Sequence, residues 1–140
     1  MTWEYLAGFF DGEGCIHMMT NQCGNPQLKV TITQGNFPLL QLVAAFTGFG
    51  KVDKAGNKWE VWVWRLTKRE DIQTFLVNMV PHLILKKAEA EIAIEICKLN
   101  PVQGRHIPPE DRQKQVELAS KLRQTAAQRK EDRLSLQEVM

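Results

Sequence analysis

Residues 6–14 of the 140-residue chain read LAGFFDGEG and form the centre of a segment with the pattern of an amphipathic helix. Apolar positions recur through this segment at helical intervals, namely at Trp3, Leu6, Ala7 and Phe10. Thr2 is a favourable N-cap, and Gly14 is a favourable point of termination. The pattern therefore predicts a first helix that starts after Thr2 and ends at Gly14.

Two glycines, Gly8 and Gly12, lie four residues apart on one face of this predicted helix. A glycine inside a helix costs about 1 kcal/mol relative to alanine, so the pair needs a reason. One reason is close approach of a second backbone, which small residues at this spacing permit. The other interpretation is a loose helix end with flexible glycines, and the spacing alone leaves both open.

Glu13 is an acidic residue at the C-terminal end of the helix, where the helix dipole disfavours an anion by about 0.3–1 kcal/mol. It is either a solvated surface carboxylate or a ligand whose bound divalent cation reverses the sign of this effect. Mg²⁺ takes one or two carboxylates and keeps water and phosphate oxygens as its other ligands. If two such helices met at their glycine faces, their metals would flank a phosphodiester.

The remaining pattern predicts pairs of strands between helices. The predicted elements are strands at 15–19 and 27–33 with a hairpin loop at 21–26, a helix from Asn36 to Gly48, strands at 50–54 and 58–66 around a turn at 55–57, a helix from a capping box at Thr67–Glu70 to Pro81, a helix at 86–99, and a polar helix after Pro109. Beyond about Gln124 we expect a fraying tail. The order indicates an α+β fold with helices on one face of an antiparallel sheet.

Composition and charge narrow the class of protein. The chain is 44% hydrophobic and 24% charged, which is typical of one globular domain, and three separated cysteines support neither a disulfide framework nor a zinc site. No apolar run approaches a membrane span and the N-terminus lacks signal-peptide features, so we expect a cytoplasmic, nucleoid or organelle-matrix protein that is not secreted. The net charge of +2 hides a basic segment at 15–69, which suits a polyanion-binding surface.

The stretch at 6–14, in this order of elements, resembles the LAGLIDADG motif of homing endonucleases. It departs from the name-giving motif at Phe9, Phe10, Gly12 and Glu13, and the last change keeps a carboxylate. The resemblance covers about residues 3 to 99 and implies the αββαββα fold, with a curved four-stranded DNA-binding sheet and extra C-terminal helices. It divides the chain into an endonuclease core at 1–100 and a helical extension of the same domain at 101–140.

The resemblance also implies an active site. Glu13 would bind the catalytic Mg²⁺, with the Gly12 carbonyl as a further ligand and with Mn²⁺ or Ca²⁺ able to occupy the site, Ca²⁺ without turnover. Gln34 would lie near the active-site waters and Lys86 near the scissile phosphate. From the residues alone, Gln34 also fits a strand-end hydrogen bond to a turn, and Lys86 a solvated lysine at a helix start.

Only one such motif is present, and single-motif members of the family work as homodimers. The expected interface residues are Leu6, Ala7, Gly8, Phe9, Asp11 and Gly12. A two-fold dimer meets a near-palindromic target and cuts both strands. The expected function is thus homing-type, sequence-specific cleavage of double-stranded DNA, without membrane association; the alternative is an RNA-splicing maturase or a non-cleaving DNA-binding protein on the same fold.

Strand alternation predicts which side chains face DNA. Those expected on the open face or its loops are Cys15, His17, Met19, Asn21, Asn25, Gln27, Lys29, Thr31, Lys51, Asp53 and Arg65, and those expected to contact phosphates are Lys54, Lys58, Lys68 and Arg69. The residues expected in the core are Ile16, Met18, Leu28, Val30, Ile32, Val52, Trp62, Trp64 and Leu66. Basic residues between 112 and 133 fit either a solvated helix face or a clamp on flanking DNA.

Overall fold

The computed structural model describes residues 1–20, 26–56, 60–99 and 109–139. Its elements are α1 (Trp3–Glu13), β1 (Gly14–Thr20), β2 (Pro26–Gln34), α2 (Phe37–Thr47), β3 (Lys51–Lys54), β4 (Trp62–Leu66), α3 (Arg69–Met79), a 3₁₀ turn (Val80–His82), α4 (Lys87–Leu99) and α5 (Pro109–Val139). This order confirms the predicted αββαββα arrangement with further helical sequence after it. The domain boundary at residue 100 stays a prediction.

Helix α1 begins and ends where the sequence predicts. The Thr2 hydroxyl accepts a hydrogen bond from the Tyr5 amide at 3.1 Å, which satisfies one of the free N–H groups of the first turn. At the other end, a Cβ at Gly14 would overlap the ring of Phe10. Glycine is therefore required there because the aromatic ring packs directly against the backbone, and the chain passes into β1 without a loop.

The four strands form one antiparallel sheet in the order β1-β2-β4-β3. On β2, Leu28, Val30 and Ile32 are fully buried, whereas the alternate positions Lys29 and Thr31 are only half-buried. This alternation confirms the predicted core and open faces, because successive side chains on a strand point to opposite sides.

The side chains of the second hairpin lie on the predicted sides of the sheet. Val52 pairs with Trp64, which is buried, and Leu66 is also buried, so these side chains lie on the core side. The structure places Lys51 opposite Arg65 on the other side. Strand β4 starts at Trp62, and the predicted strand residues 58–59 and turn residue 57 lie outside the described residues.

The helices cover the core face of the sheet, and aromatic rings fill the space between them. The rings of Phe10 and Trp64 lie 5.6 and 5.1 Å from that of Phe75, which are favourable separations for aromatic pairs. The Trp64 indole N–H donates to the Phe49 carbonyl at 3.2 Å. Gly50 has a positive φ of 89°, and a side chain there would overlap the Trp64 ring.

Two local predictions are wrong. Helix α3 starts at Arg69 with Lys68 as its N-cap and no side-chain cap, so Thr67 and Glu70 do not form a capping box. Helix α5 continues to Val139, whereas the sequence predicted no packed element after Gln124. Arg129 and Thr125 are half-buried against the rest of the domain, which gives the polar C-terminal half a surface to pack on. No helix in the described ranges is both long enough and apolar enough to cross a membrane.

Candidate active site and nucleic-acid interface

One face of α1 is open to solvent. Tyr5 is 55% exposed, Gly8 and Gly12 are exposed, and a Cβ added at either glycine meets no atom within 4 Å. The glycines are therefore not required by packing inside this chain. They leave a flat backbone surface on which a second backbone can lie closely.

Several of the residues predicted for the dimer interface do not lie on this face. Leu6 and Ala7 are fully buried in the protomer's own core, because they occupy the opposite side of α1. Phe9 is partly buried against the same core. The Asp11 carboxylate is turned into its own chain. Gly8 and Gly12, together with Tyr5, therefore form the open face of α1.

Asp11 ties α1 to the segment that precedes α4. Its two carboxylate oxygens accept hydrogen bonds from the backbone N–H groups of Ile84 at 2.8 Å and Lys86 at 3.0 Å. The Lys86 ammonium donates to the Asp11 carbonyl oxygen at 2.6 Å. These three bonds fix Lys86 against the C-terminal end of α1, beside Gly12.

Lys86 is a buried cation, with 4% of its surface exposed. Burial lowers the pKa of its ammonium, and the nearby Arg129 guanidinium lowers that pKa further. The charges of Glu89 and Asp11 oppose the shift. Lys86 is therefore not a solvated lysine at a helix start, which was the other interpretation that the sequence allowed.

A cavity of about 860 Å³ lies where α1, the segment before α4 and α5 meet. Asp11, Gly12, Leu85 and Lys86 line one side of it. The opposite side is formed by the C-terminal half of α5, with lining residues Gln124, Thr125, Gln128, Arg129, Asp132 and Arg133. Neither Glu13 nor Gln34 is among its lining residues.

The Glu13 side chain is exposed at the last position of α1. Within the described ranges its carboxylate makes no hydrogen bond or ion pair, and no three His, Cys, Asp or Glu side chains cluster as a metal site. An unpaired carboxylate beside the exposed end of a helix, where backbone carbonyls lack helical partners, is a donor set that suits Mg²⁺. Waters and phosphate oxygens would have to complete the coordination.

Gln34 ends β2, and its side chain forms a local contact. The carboxamide oxygen accepts a hydrogen bond from the Gly35 amide at 2.8 Å, so the strand-end hydrogen bond to a turn is present. This bond orients the carboxamide and leaves its NH₂ group as a donor.

The open face of the sheet carries rows of polar side chains. The register aligns Cys15, Thr31, Arg65 and Lys51 across all four strands. In the next two rows along β1 and β2, His17 pairs with Lys29 and Met19 pairs with Gln27. Basic, amide and hydroxyl side chains of this kind match the donors and acceptors that base edges present in the major groove.

The edge of this face carries a thiol–imidazole contact. The Cys15 Sγ lies 3.3 Å from His17 Nδ1, and burial together with Lys29 lowers the pKa of His17. The lowered pKa favours the neutral imidazole, and Nε2, the ring nitrogen that does not contact Cys15, is left for a base edge.

Sequence reasoning also placed one phosphate-contacting residue wrongly. Arg69 is 2% exposed, and its guanidinium donates to the Ile96 carbonyl at 3.4 Å. It lies in the first turn of α3 and points into α4, so it does not reach a nucleic acid. Lys54 and Lys68 are exposed, as phosphate contacts require. The predicted contacts Asn21, Asn25 and Lys58 lie outside the described residues.

Two residues of interest were missed. Val63 pairs with Thr33 and Asp53 on the side of the sheet opposite the helices and is nevertheless buried there, with 6% of its surface exposed. Glu89 is 2% exposed and pairs with Arg129. The sequence carried a signal for Glu89, because it precedes Ile92 by three residues and Ile96 by seven and therefore lies on the apolar face of α4.

Fold and site together define an α+β protein with one polar sheet face and a helix that presents two glycines and a terminal carboxylate. A sequence model of the LAGLIDADG endonuclease family matches residues 6–100. The chain belongs to the LAGLIDADG family of homing endonucleases. No functionally curated protein sequence matches it.

Solved structures share this fold over most of the chain. The homing endonuclease I-CvuI, crystallised with DNA in the presence of Mg, is similar with a TM-score of 0.77 and 24% identity over 88% of this chain and 80% of its own. The archaeal intron-encoded homing endonuclease I-Vdi141I, complexed with DNA, has a TM-score of 0.76 and 20% identity, over 88% of this chain and 82% of its own. The homing endonuclease I-TnaI has a TM-score of 0.71 and 22% identity, over 92% of this chain and 98% of its own.

The Asp11 bonds lead to a stability prediction. Asp11→Ala removes the acceptor for two backbone N–H groups, one of them on a buried residue, so we expect a loss of about 1–3 kcal/mol in the free energy of unfolding. Urea denaturation followed by circular dichroism measures it. Glu91→Ala, which removes an exposed carboxylate from α4, is the control and should change stability by less than about 0.5 kcal/mol. Equal effects of the two substitutions would contradict a special role for Asp11.

Proposed function

We propose that the protein is a homodimeric, Mg²⁺-dependent, sequence-specific DNA endonuclease of the homing type that cuts both strands of a long near-palindromic site. The observation that carries the proposal is the end of α1. There the unpaired Glu13 carboxylate follows an open glycine face and lies on a helix end to which Lys86 is fixed.

The open face of α1 supports a dimer. Gly8 and Gly12 have no packing role in the protomer, yet they cost helix stability, and a second copy lying on this face gives them a purpose. A two-fold axis through the face would bring both Glu13 carboxylates close to the same stretch of DNA. Exposed Ile84 and Leu85 beside this helix end add apolar surface for the partner.

The open sheet face supports DNA as the substrate. Lys29, Lys51 and Arg65 lie on it with amide and hydroxyl side chains between them, a mixture that suits base edges in the major groove. The structures of the homing endonucleases I-CvuI and I-Vdi141I, which share the fold, were solved in complex with DNA. We assign DNA binding in this chain to the polar face on the side opposite the helices.

The residues around the helix end have separable roles in cleavage. Glu13 and the Gly12 carbonyl would hold Mg²⁺, which supplies charge neutralisation and a more acidic water when bound. Lys86 presents a fixed ammonium where negative charge builds on the phosphate, and its bond to the Asp11 carbonyl removes the cost of orienting it during the reaction. The Gln34 NH₂ group remains a donor for a water near the strand end.

Selection of cleaved sites from a randomised palindromic DNA library with Mg²⁺ tests the proposal. We expect one near-palindromic site to be recovered, cut on both strands. Recovery of no cleaved DNA would contradict it. Filter binding of structured intron RNA against duplex DNA should show preference for the duplex, and preference for RNA would favour a maturase instead.

A further inference from the structure

One buried ion pair has no role in the proposed function. The Glu89 carboxylate, 2% exposed on α4, accepts a hydrogen bond from Arg129 Nε of α5 at 2.7 Å. The Arg129 side chain is 28% exposed. A buried carboxylate is unfavourable unless it is paired, so this pair demands an explanation beyond helix packing, which apolar residues supply at lower cost.

The ion pair lies between two cavities. Arg129 lines the cavity of about 860 Å³ that also contains Lys86, Asp11 and Gly12. Arg129 and Glu89 also line a neighbouring cavity of about 300 Å³ between β1 and α5, together with Cys15 and His17. The pair therefore marks the point where α5 passes from the cavity beside β1 to the larger cavity that Lys86 lines.

We infer that the Glu89–Arg129 ion pair fastens the C-terminal half of α5 over the cavity that Lys86 lines, and that Arg129 is a positioning residue for Lys86 during strand cleavage. This inference rests on the proposed function. In this account the C-terminal half of α5 contributes to the site, because it forms one side of the cavity that Lys86 lines.

The charges explain why Arg129 acts through Lys86. Both cations line one cavity, and repulsion between them favours the position in which the Lys86 ammonium stays on the Asp11 carbonyl. Glu89 holds the guanidinium at its Nε, so Arg129 does not move away in response. A planar guanidinium fixed by one edge keeps its other donors available to an anion that enters the pocket.

The packing of α5 also explains why the loss of one ion pair should weaken the attachment of its C-terminal half. Leu122 and Ala119 are buried in the core, but beyond them the helix is polar and Leu134 is 57% exposed. Within the described ranges, Arg129–Glu89 is the ion pair that joins this half of α5 to the rest of the domain. Without it, local opening of residues 124–133 should become easier, because few apolar contacts remain there.

Four variants test the inference: Arg129→Met, Glu89→Gln, their combination, and Arg129→Lys, which retains the charge. Lys130→Met is the matched control, since it removes one positive charge at the next position without touching Glu89. Two measurements are made. Hydrogen exchange with mass spectrometry follows residues 124–133, and single-turnover cleavage with saturating enzyme is compared with DNA affinity in Ca²⁺.

We expect faster exchange at 124–133 in Arg129→Met and Glu89→Gln but not in Lys130→Met. Cleavage should slow by about 100-fold in both single variants, the size of effect that a small misplacement of a catalytic group produces. The double variant should be no slower than either single one, and Arg129→Lys should recover part of the rate. Because the rate is measured with saturating enzyme, any change in DNA affinity through the cavity that Arg129 shares with Cys15 and His17 does not enter the cleavage rate.

Three outcomes would overturn the inference: unchanged exchange in both single variants, an unchanged cleavage rate despite faster exchange, or an equal loss in Lys130→Met. A purely structural role predicts the second of these. If the wild-type protein cleaves no DNA, the proposed function fails, and the exchange experiment then still decides whether the pair fastens α5.

Discussion

Glu13→Gln abolishes cleavage and leaves DNA binding within about threefold. The substitution keeps the shape of the side chain but removes the charge that Mg²⁺ requires, and a neutral amide is a much weaker ligand for that cation. Metal stabilisation of a phosphoryl transition state is worth several kcal/mol, which corresponds to a rate loss of about 1,000-fold or more. Because Glu13 is exposed and unpaired within the described residues, folding should not change.

Gel-based cleavage of the selected site in Mg²⁺ measures the rate, and fluorescence anisotropy in Ca²⁺ measures binding. Glu95→Gln is the matched control, because it neutralises an equally exposed carboxylate on α4. The control should cleave like the wild-type protein. Cleavage by Glu13→Gln at the wild-type rate would contradict the assignment of Glu13 to the metal, and a parallel loss in both variants would show a general effect of charge.

Gly8→Leu converts the protein to a folded monomer that does not cleave. A Cβ at position 8 meets no atom of the protomer within 4 Å, so the protomer's own stability should change by less than about 1 kcal/mol. Across a close helix–helix contact the added side chain is overpacked in both copies, at about 1–3 kcal/mol each. The dimer dissociation constant should therefore rise by at least about 30-fold.

Sedimentation velocity measures the association, and thermal unfolding confirms that the variant is folded. Ala45→Leu, on the exposed surface of α2, adds the same bulk away from the proposed interface and should leave the dimer intact. A wild-type protein that is monomeric at micromolar concentration on its DNA, or a Gly8→Leu variant that still dimerises, would leave the two glycines without a role in association.

The sequence predicted the features that depend on local periodicity. The capped start of α1 and the alternation along β2 follow from residues a few positions apart, and both were confirmed. The second hairpin kept its predicted facing because Trp62, Trp64 and Leu66 share one side of β4 while Arg65 lies on the other, so the first side packs against the core. The nine-residue family motif, together with the predicted order of helices and strands, was sufficient to predict the fold.

The sequence could not predict which charged residues turn inward. Arg69 and Asp11 are charged residues beside exposed ones, and only the tertiary structure gives them partners, Ile96 for the first and the backbone of Ile84 and Lys86 for the second. The ordered second half of α5 depends likewise on Arg129 meeting a carboxylate 40 positions earlier in the chain. Such pairings between distant segments have no signature in a local pattern.

The central claim is that two copies of the chain each supply one carboxylate, and that each carboxylate serves one strand. A mixed dimer tests it most directly, made by co-expressing wild-type and Glu13→Gln chains with different affinity tags and purifying over both. On a supercoiled plasmid that carries the selected site, the mixed dimer should give nicked circles and almost no linear product. Linear DNA formed at the wild-type rate would contradict the claim.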